Sequence, residues 1–257
     1  MRVLSILLLL SLSPAAPAAA GTGVPDGMAR IPGGRYVPLF LNGRSSVEVR
    51  TFALDRLPVT RAEYLAFVRG HPRWQRGRAP RALAGPGYLA AWPGPLAGGG
   101  ATDLRRPVTE VSWFAARAYC AARGARLPTT DEWEYAALAS ETRRDASREP
   151  AFIARLLELY LARRPVPPVA GSGFRNVHGV RDLHGVVWEW VEDFNSLLVT
   201  ADSRATSGRD HPLFCAAGVI GATDPNNYPA FLRYGFRAGL EGRSTAGGLG
   251  FRCARDL

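Results

Sequence analysis

Apolar positions recur at helical spacing in four stretches of the chain. The first opens at Thr60-Arg61-Ala62-Glu63, where Thr and Glu, three apart, can each bond the other's free backbone N–H. Tyr64, Phe67 and Val68 then fall on one face. Ser112 can cap a second helix with Ala116, Tyr119 and Cys120 at i, i+3, i+4, and Gly124 suits its stop. Thr129-Thr130-Asp131-Glu132 is another capping box and leads into Trp133 and Tyr135. A fourth helix is predicted over 151–163, with Ile153, Leu156, Leu157, Tyr160 and Leu161 as its stripe. Pro165, Pro167 and Pro168 end it.

Between these lie shorter signals. Ile31-Pro32-Gly33-Gly34 reads as a turn, with strand predicted at Arg35-Tyr36-Val37, over 52–57 and over 108–111. Residues 70–106 are rich in Pro, Gly and Arg without a period and read as a long irregular loop. From 171 onward, short strands alternate with Gly- and Asn-rich turns. No linker or repeat interrupts the pattern. It predicts one α+β domain over residues 21–257, with much irregular structure.

The N-terminus follows another rule. Arg2 precedes an apolar run over 3–12, then small residues end at Ala18-Ala19-Ala20 before Gly21. This reads as a signal peptide, residues 1–20, cleaved after Ala20. Its apolar core is about half of the roughly twenty residues that span a bilayer, so no membrane association is expected after cleavage. A secreted or periplasmic, oxidising location follows, where disulfides persist.

Composition narrows the function classes. Six Trp, eight Tyr and eleven Phe supply core-forming bulk and exclude a disordered chain. The net charge of +10 resembles a nucleic-acid signature, but all 32 basic residues are Arg, scattered in runs no longer than two. Phosphate-binding surfaces cluster their charge, so no nucleic-acid partner is expected.

Three long segments, in order, resemble the formylglycine-generating enzyme family, also called the sulfatase-modifying-factor domain. They are Pro107-Val108-Thr109-Glu110-Val111-Ser112-Trp113 through Glu132-Trp133-Glu134-Tyr135-Ala136; 176–193 with Trp188-Glu189-Trp190; and Gly250-Phe251-Arg252-Cys253. The resemblance implies a C-type-lectin-like variant of the α+β class, and a copper-dependent oxidase that converts a client protein's cysteine to formylglycine. Further likeness in 193–196, 213–218 and 227–231 resembles the subgroup associated with copper nitrite reductase. It implies, as the alternative, a non-catalytic accessory or binding protein serving such an exported copper enzyme. A client or partner protein is expected in either case.

The resemblance also assigns residues. It implies a disulfide between Cys120 and Cys253. It places Cys215 at the copper(I) site, as ligand and catalytic residue, because soft thiolates suit that ion. The family uses two cysteines a few residues apart; here none follows Cys215 at short spacing, and His211 is the candidate second copper ligand. A calcium ion is implied near Asn176, Val177 and Gly179, with Glu189 beyond, since a hard cation takes oxygen ligands.

Overall fold

The computed structural model describes residues 23–41, 43–162, 164–195 and 222–257. The predicted signal segment and the candidate copper ligands His211 and Cys215 lie outside the described residues.

Four strands come first: β1 (Met28–Ile31), β2 (Gly34–Tyr36), β3 (Val47–Val49) and β4 (Phe52–Asp55). Helix α1 (Arg61–Gly70), the short α2 (Ala101–Leu104), α3 (Trp113–Ala122), α4 (Thr130–Ala137) and α5 (Pro150–Leu161) follow. Strand β5 (Trp188–Glu189), helix α6 (Tyr228–Ala238) and strands β6 (Leu249–Gly250) and β7 (Ala254–Asp256) complete the order. The main sheet is antiparallel in the order β1-β4-β7, so the first and last strands flank the same partner. Its register sets Ile31 against Phe52 and Phe52 against Asp256. Every residue of the central strand β4 is buried. Strands β2 and β3 pair antiparallel, and the two-residue β5 and β6 pair parallel.

The capping chemistry predicted for three helices is present. Glu63 Oε2 accepts from the Thr60 N–H at 2.7 Å, and Thr60 Oγ1 accepts from the Glu63 N–H at 3.3 Å. Thr129 and Glu132 repeat the exchange at α4, and Ser112 Oγ caps α3 through the Ala115 N–H. Gly124 stops α3 with a positive φ of 63°, which a side chain would disfavour.

Other expectations need correction. Residues 108–111 do not form a strand: Glu110 sits in the left-handed region, with φ 61°, and breaks the extended run. The 70–106 segment is irregular but folded inward, with Trp74, Tyr88, Leu89 and Trp92 all buried. Tyr88 donates to the Trp74 carbonyl at 2.9 Å, which leaves Tyr64 to donate to the Tyr88 oxygen at 2.7 Å. Helix α5 buries Phe152 and Leu156, while Leu161 is exposed. Its inner face is set by a small satellite core of Ala146, Phe152 and Leu156 with Leu159 and Phe174 against it. The largest departure is α6, eleven helical residues where short strands and turns are predicted.

One hydrophobic cluster runs from Met28 to Ala254 and gathers residues from strands of all three sheets and from α1, α3 and α4. Beneath the main sheet, Cys120 of α3 and Cys253 form a fully buried disulfide, with Cα atoms 5.6 Å apart. The bridge spans 133 positions. Loops of that length lose on the order of 4–5 kcal/mol of unfolded-state entropy in the chain model. The double variant Cys120→Ala/Cys253→Ala should therefore lose about 2–5 kcal/mol of unfolding free energy in urea. An unchanged midpoint would show that the bridge adds nothing.

Candidate functional site

The motif residues meet in the interior. Glu189 of β5 and Arg252, both fully buried, form a two-pronged pair: Arg252 Nε donates to Oε2 and Nη2 to Oε1, each at 2.7 Å. Trp133 of α4 donates its indole N–H to the same Oε2 at 2.7 Å. The remaining guanidinium donors reach the carbonyls of Asp55 and Arg181, each at 3.0 Å. Paired and hydrogen-bonded in this way, both charges offset their desolvation. Trp190 is fully buried and donates to the Val111 carbonyl at 2.8 Å. Trp188 is stacked between Tyr160 and Phe236, with centroids 5.1 and 4.5 Å away. These residues are scaffold.

A second buried layer joins α4 to α6. Glu134 accepts from Arg233 Nε at 3.0 Å, from Arg233 Nη2 at 2.6 Å and from Arg237 Nη1 at 2.7 Å. One carboxylate thus faces two guanidinium groups. The Trp133 ring takes part of the excess charge, with Arg237 4.7 Å and Arg233 5.5 Å from its centroid. Next to this layer, His184 Nε2 bonds the Ala137 carbonyl at 3.0 Å. That nitrogen must carry the proton, so Nδ1 accepts from the Tyr160 hydroxyl at 2.9 Å. Burial, then the charge of Arg233, push the His184 imidazole down to about 3. It stays neutral.

The side-chain oxygens named for the calcium expectation already accept hydrogen bonds. Glu189 is committed to Arg252 and Trp133. Asn176 Oδ1 accepts from the N–H groups of His178 and Val180, each at 3.1 Å, and its amide donates to Ala136. Gly179, with φ 85°, closes this turn through its N–H to the Asn176 carbonyl, and Val177 faces solvent. A calcium ion needs six to eight free oxygens; here the side-chain oxygens already have partners. Among the described residues, no group of three or more His, Cys, Asp or Glu is placed to hold a metal.

The segment that contains His211 and Cys215 is flanked by anchored chain. Before it, Asp193 Oδ1 accepts from the backbone N–H of Thr130 at 2.6 Å and from its hydroxyl at 2.9 Å. After it, Ala222 bridges Phe40, the Thr223 N–H reaches the Leu39 carbonyl, and α6 is clamped by Glu134.

A family model described as sulfatase-modifying factor enzyme 1-like domain matches residues 14–257. The chain belongs to this family. It is 30% identical, over 91% of its length and 89% of the relative's, to a Bos taurus protein named inactive C-alpha-formylglycine-generating enzyme 2. It is 29% identical to the formylglycine-generating enzyme of Streptomyces coelicolor, over 95% of each chain. The solved structure of PvdO from Pseudomonas aeruginosa shares the mixed helix-and-strand fold, with a TM-score of 0.51 at 20% identity, over 90% of this chain and 94% of that one.

Sequence reasoning missed Glu134, Arg233, Arg237, Tyr160 and His184 as one connected layer. A signal existed: Arg233 and Arg237 are spaced i, i+4 on the helix face that also carries Ala230 and Tyr234. Two arginines on an apolar face require a buried acid.

Glu134→Gln would leave two buried guanidinium groups without their counter-charge and should cost about 3–5 kcal/mol in chemical denaturation. Burial raises the Glu134 carboxyl, but Arg233 and Arg237 more than offset this and hold it below the ordinary value. Both Glu134 and His184 thus have folded pKa values below their unfolded ones, and the unfolded chain binds more protons in acid. Stability should be full above about pH 6.5, the unfolded histidine value. It should fall as pH drops toward about 3, with Glu134 adding to the loss below about 4.3. Urea midpoints against pH should show this slope in the native protein, and His184→Gln should flatten it between about pH 6.5 and 4.5.

Proposed function

We propose that this chain is an exported family member, one domain over 21–257, that works as an accessory or binding protein and does not generate formylglycine through a two-cysteine copper site. One observation carries the reading. The disulfide takes Cys120 and Cys253, and Cys215 is the single cysteine left of three. A two-thiolate copper(I) site needs two free thiols from the chain, and this chain has one. The similarity to a relative named inactive, over nine-tenths of the chain, is consistent with that loss. Export is supported by the apolar segment 3–12 and by the buried bridge, which oxidising compartments favour. The finer description of the fold as C-type-lectin-like is part of this reading, supported by first and last strands meeting in one sheet around much irregular chain. The partner best matched by the segments 193–196, 213–218 and 227–231 is an exported copper enzyme such as a nitrite reductase.

A copper-dependent oxidase is the second reading, favoured by Cys215 and His211 four residues apart. There the thiolate and imidazole would hold the metal, which would supply oxygen activation when bound. A copper(I) competition titration, run beside Cys215→Ser and paired with a cysteine-peptide oxidation assay, separates the two. The expected result is copper uptake no greater than in the variant and no formylglycine product. Tight stoichiometric uptake lost in Cys215→Ser, together with product, would overturn the accessory reading.

A further inference from the structure

A cleft of about 250 Å³ opens between α5, the loop 171–174 and residues 184–186. Its walls are preformed. The N–H groups of Gly171 and Gly173 both donate to the buried Asp182 carboxylate, the second at 2.7 Å. Arg181 Nη1 holds the carbonyls of the same two glycines from the other side, at 3.1 and 3.3 Å. Asp182 itself adopts φ 61°, a strained state for a non-glycine residue that persists only where the surroundings enforce it. Gly185 lets α5 come close: a Cβ there would lie 2.7 Å from the Cβ of Leu159.

The lining is two-sided. Leu159, Phe174 and Val186 supply an apolar side, while Arg155 and Arg164 bring two guanidinium groups against the single carboxylate of Glu141. Phe174 stacks on His184 with their planes 12° apart, and Arg155 lies 4.2 Å above the Phe174 ring. Neutral His184, with both ring nitrogens engaged, adds no charge to the floor. Arg164 makes no ion pair among the described residues. Arg155 pairs with Glu141 at 2.8 Å, but both are about two-fifths exposed, and such pairs are worth little and exchange readily. The cleft therefore carries one surplus positive charge beside an apolar wall.

We propose that this cleft binds a small carboxylate with an apolar tail, its carboxylate between Arg155 and Arg164 and its tail against Leu159, Phe174 and Val186. The cleft is smaller than the pockets that enclose drug-sized ligands, which limits the tail to a compact group. The carboxylate can belong to a free acid or to the C-terminus of a peptide ending in an apolar residue. The inference is independent of the reading given above for Cys215.

Isothermal titration of the full chain with 3-phenylpropionate, with its amide, and with a short peptide ending in a free Phe carboxylate tests it. The acid or the peptide should bind saturably and the amide should not. Arg164→Gln should weaken binding about tenfold, the worth of one charge-assisted hydrogen bond. Glu141→Gln, which removes the competing carboxylate, should tighten it severalfold. Saturation by the free acid identifies a small molecule as the source, and saturation by the peptide alone identifies a chain terminus. The proposal is overturned if neither acid binds, if the amide binds equally, or if Arg155→Gln and Arg164→Gln, folded by circular dichroism, both bind at wild-type strength.

Discussion

Glu189 and Arg252 are joined in a dry interior, and the rest of the structure is arranged to make that tolerable. Two opposite charges removed from water need near-ideal geometry and additional hydrogen bonds to offset desolvation. Trp133 from α4, the carbonyl of Asp55 at the end of β4 and that of Arg181 before β5 supply those bonds. Each of these elements is thereby fixed to the C-terminal segment. Asp55 extends the joint: its carboxylate takes the Cys253 N–H and both prongs of Arg123 just beyond α3. The neighbouring Cys120–Cys253 bridge closes the same corner covalently. Without the pair, α3, α4 and the main sheet would lose their common reference point.

The second charged layer serves a different part of the chain. Glu134 fixes α6 against α4 through two arginines, and α6 follows the segment that carries Cys215. Asp193 fixes the other flank on the N-terminus of α4, where backbone N–H groups and the helix dipole favour a carboxylate. The candidate reactive cysteine thus lies between two ends held by one helix. A family whose members differ in chemistry can keep this frame and vary the segment between the anchors. Relatives named formylglycine-generating enzyme and inactive C-alpha-formylglycine-generating enzyme 2 stand at similar identity to this chain.

The buried bridge takes two of the chain's three cysteines and belongs to the scaffold.

The capped helices were legible because their signals are local. Thr60 with Glu63, Thr129 with Glu132 and Ser112 each act within one turn, so a short window of sequence contains all the partners. The family and the Cys120–Cys253 pairing were legible as long ordered motifs. The sequence by itself thus determined the family, the mixed fold class and the starts of the three capped helices. Tertiary structure alone decided which face of α5 turns inward, that Glu110 breaks a strand, and that Glu189 pairs with Arg252. For the two buried ion pairs the partner lies far along the chain: Glu189 and Arg252 are 63 positions apart, Glu134 and Arg233 are 99. Spacing on one helix can show that a buried charge needs a counterpart, but which residue supplies it follows from how packed elements meet.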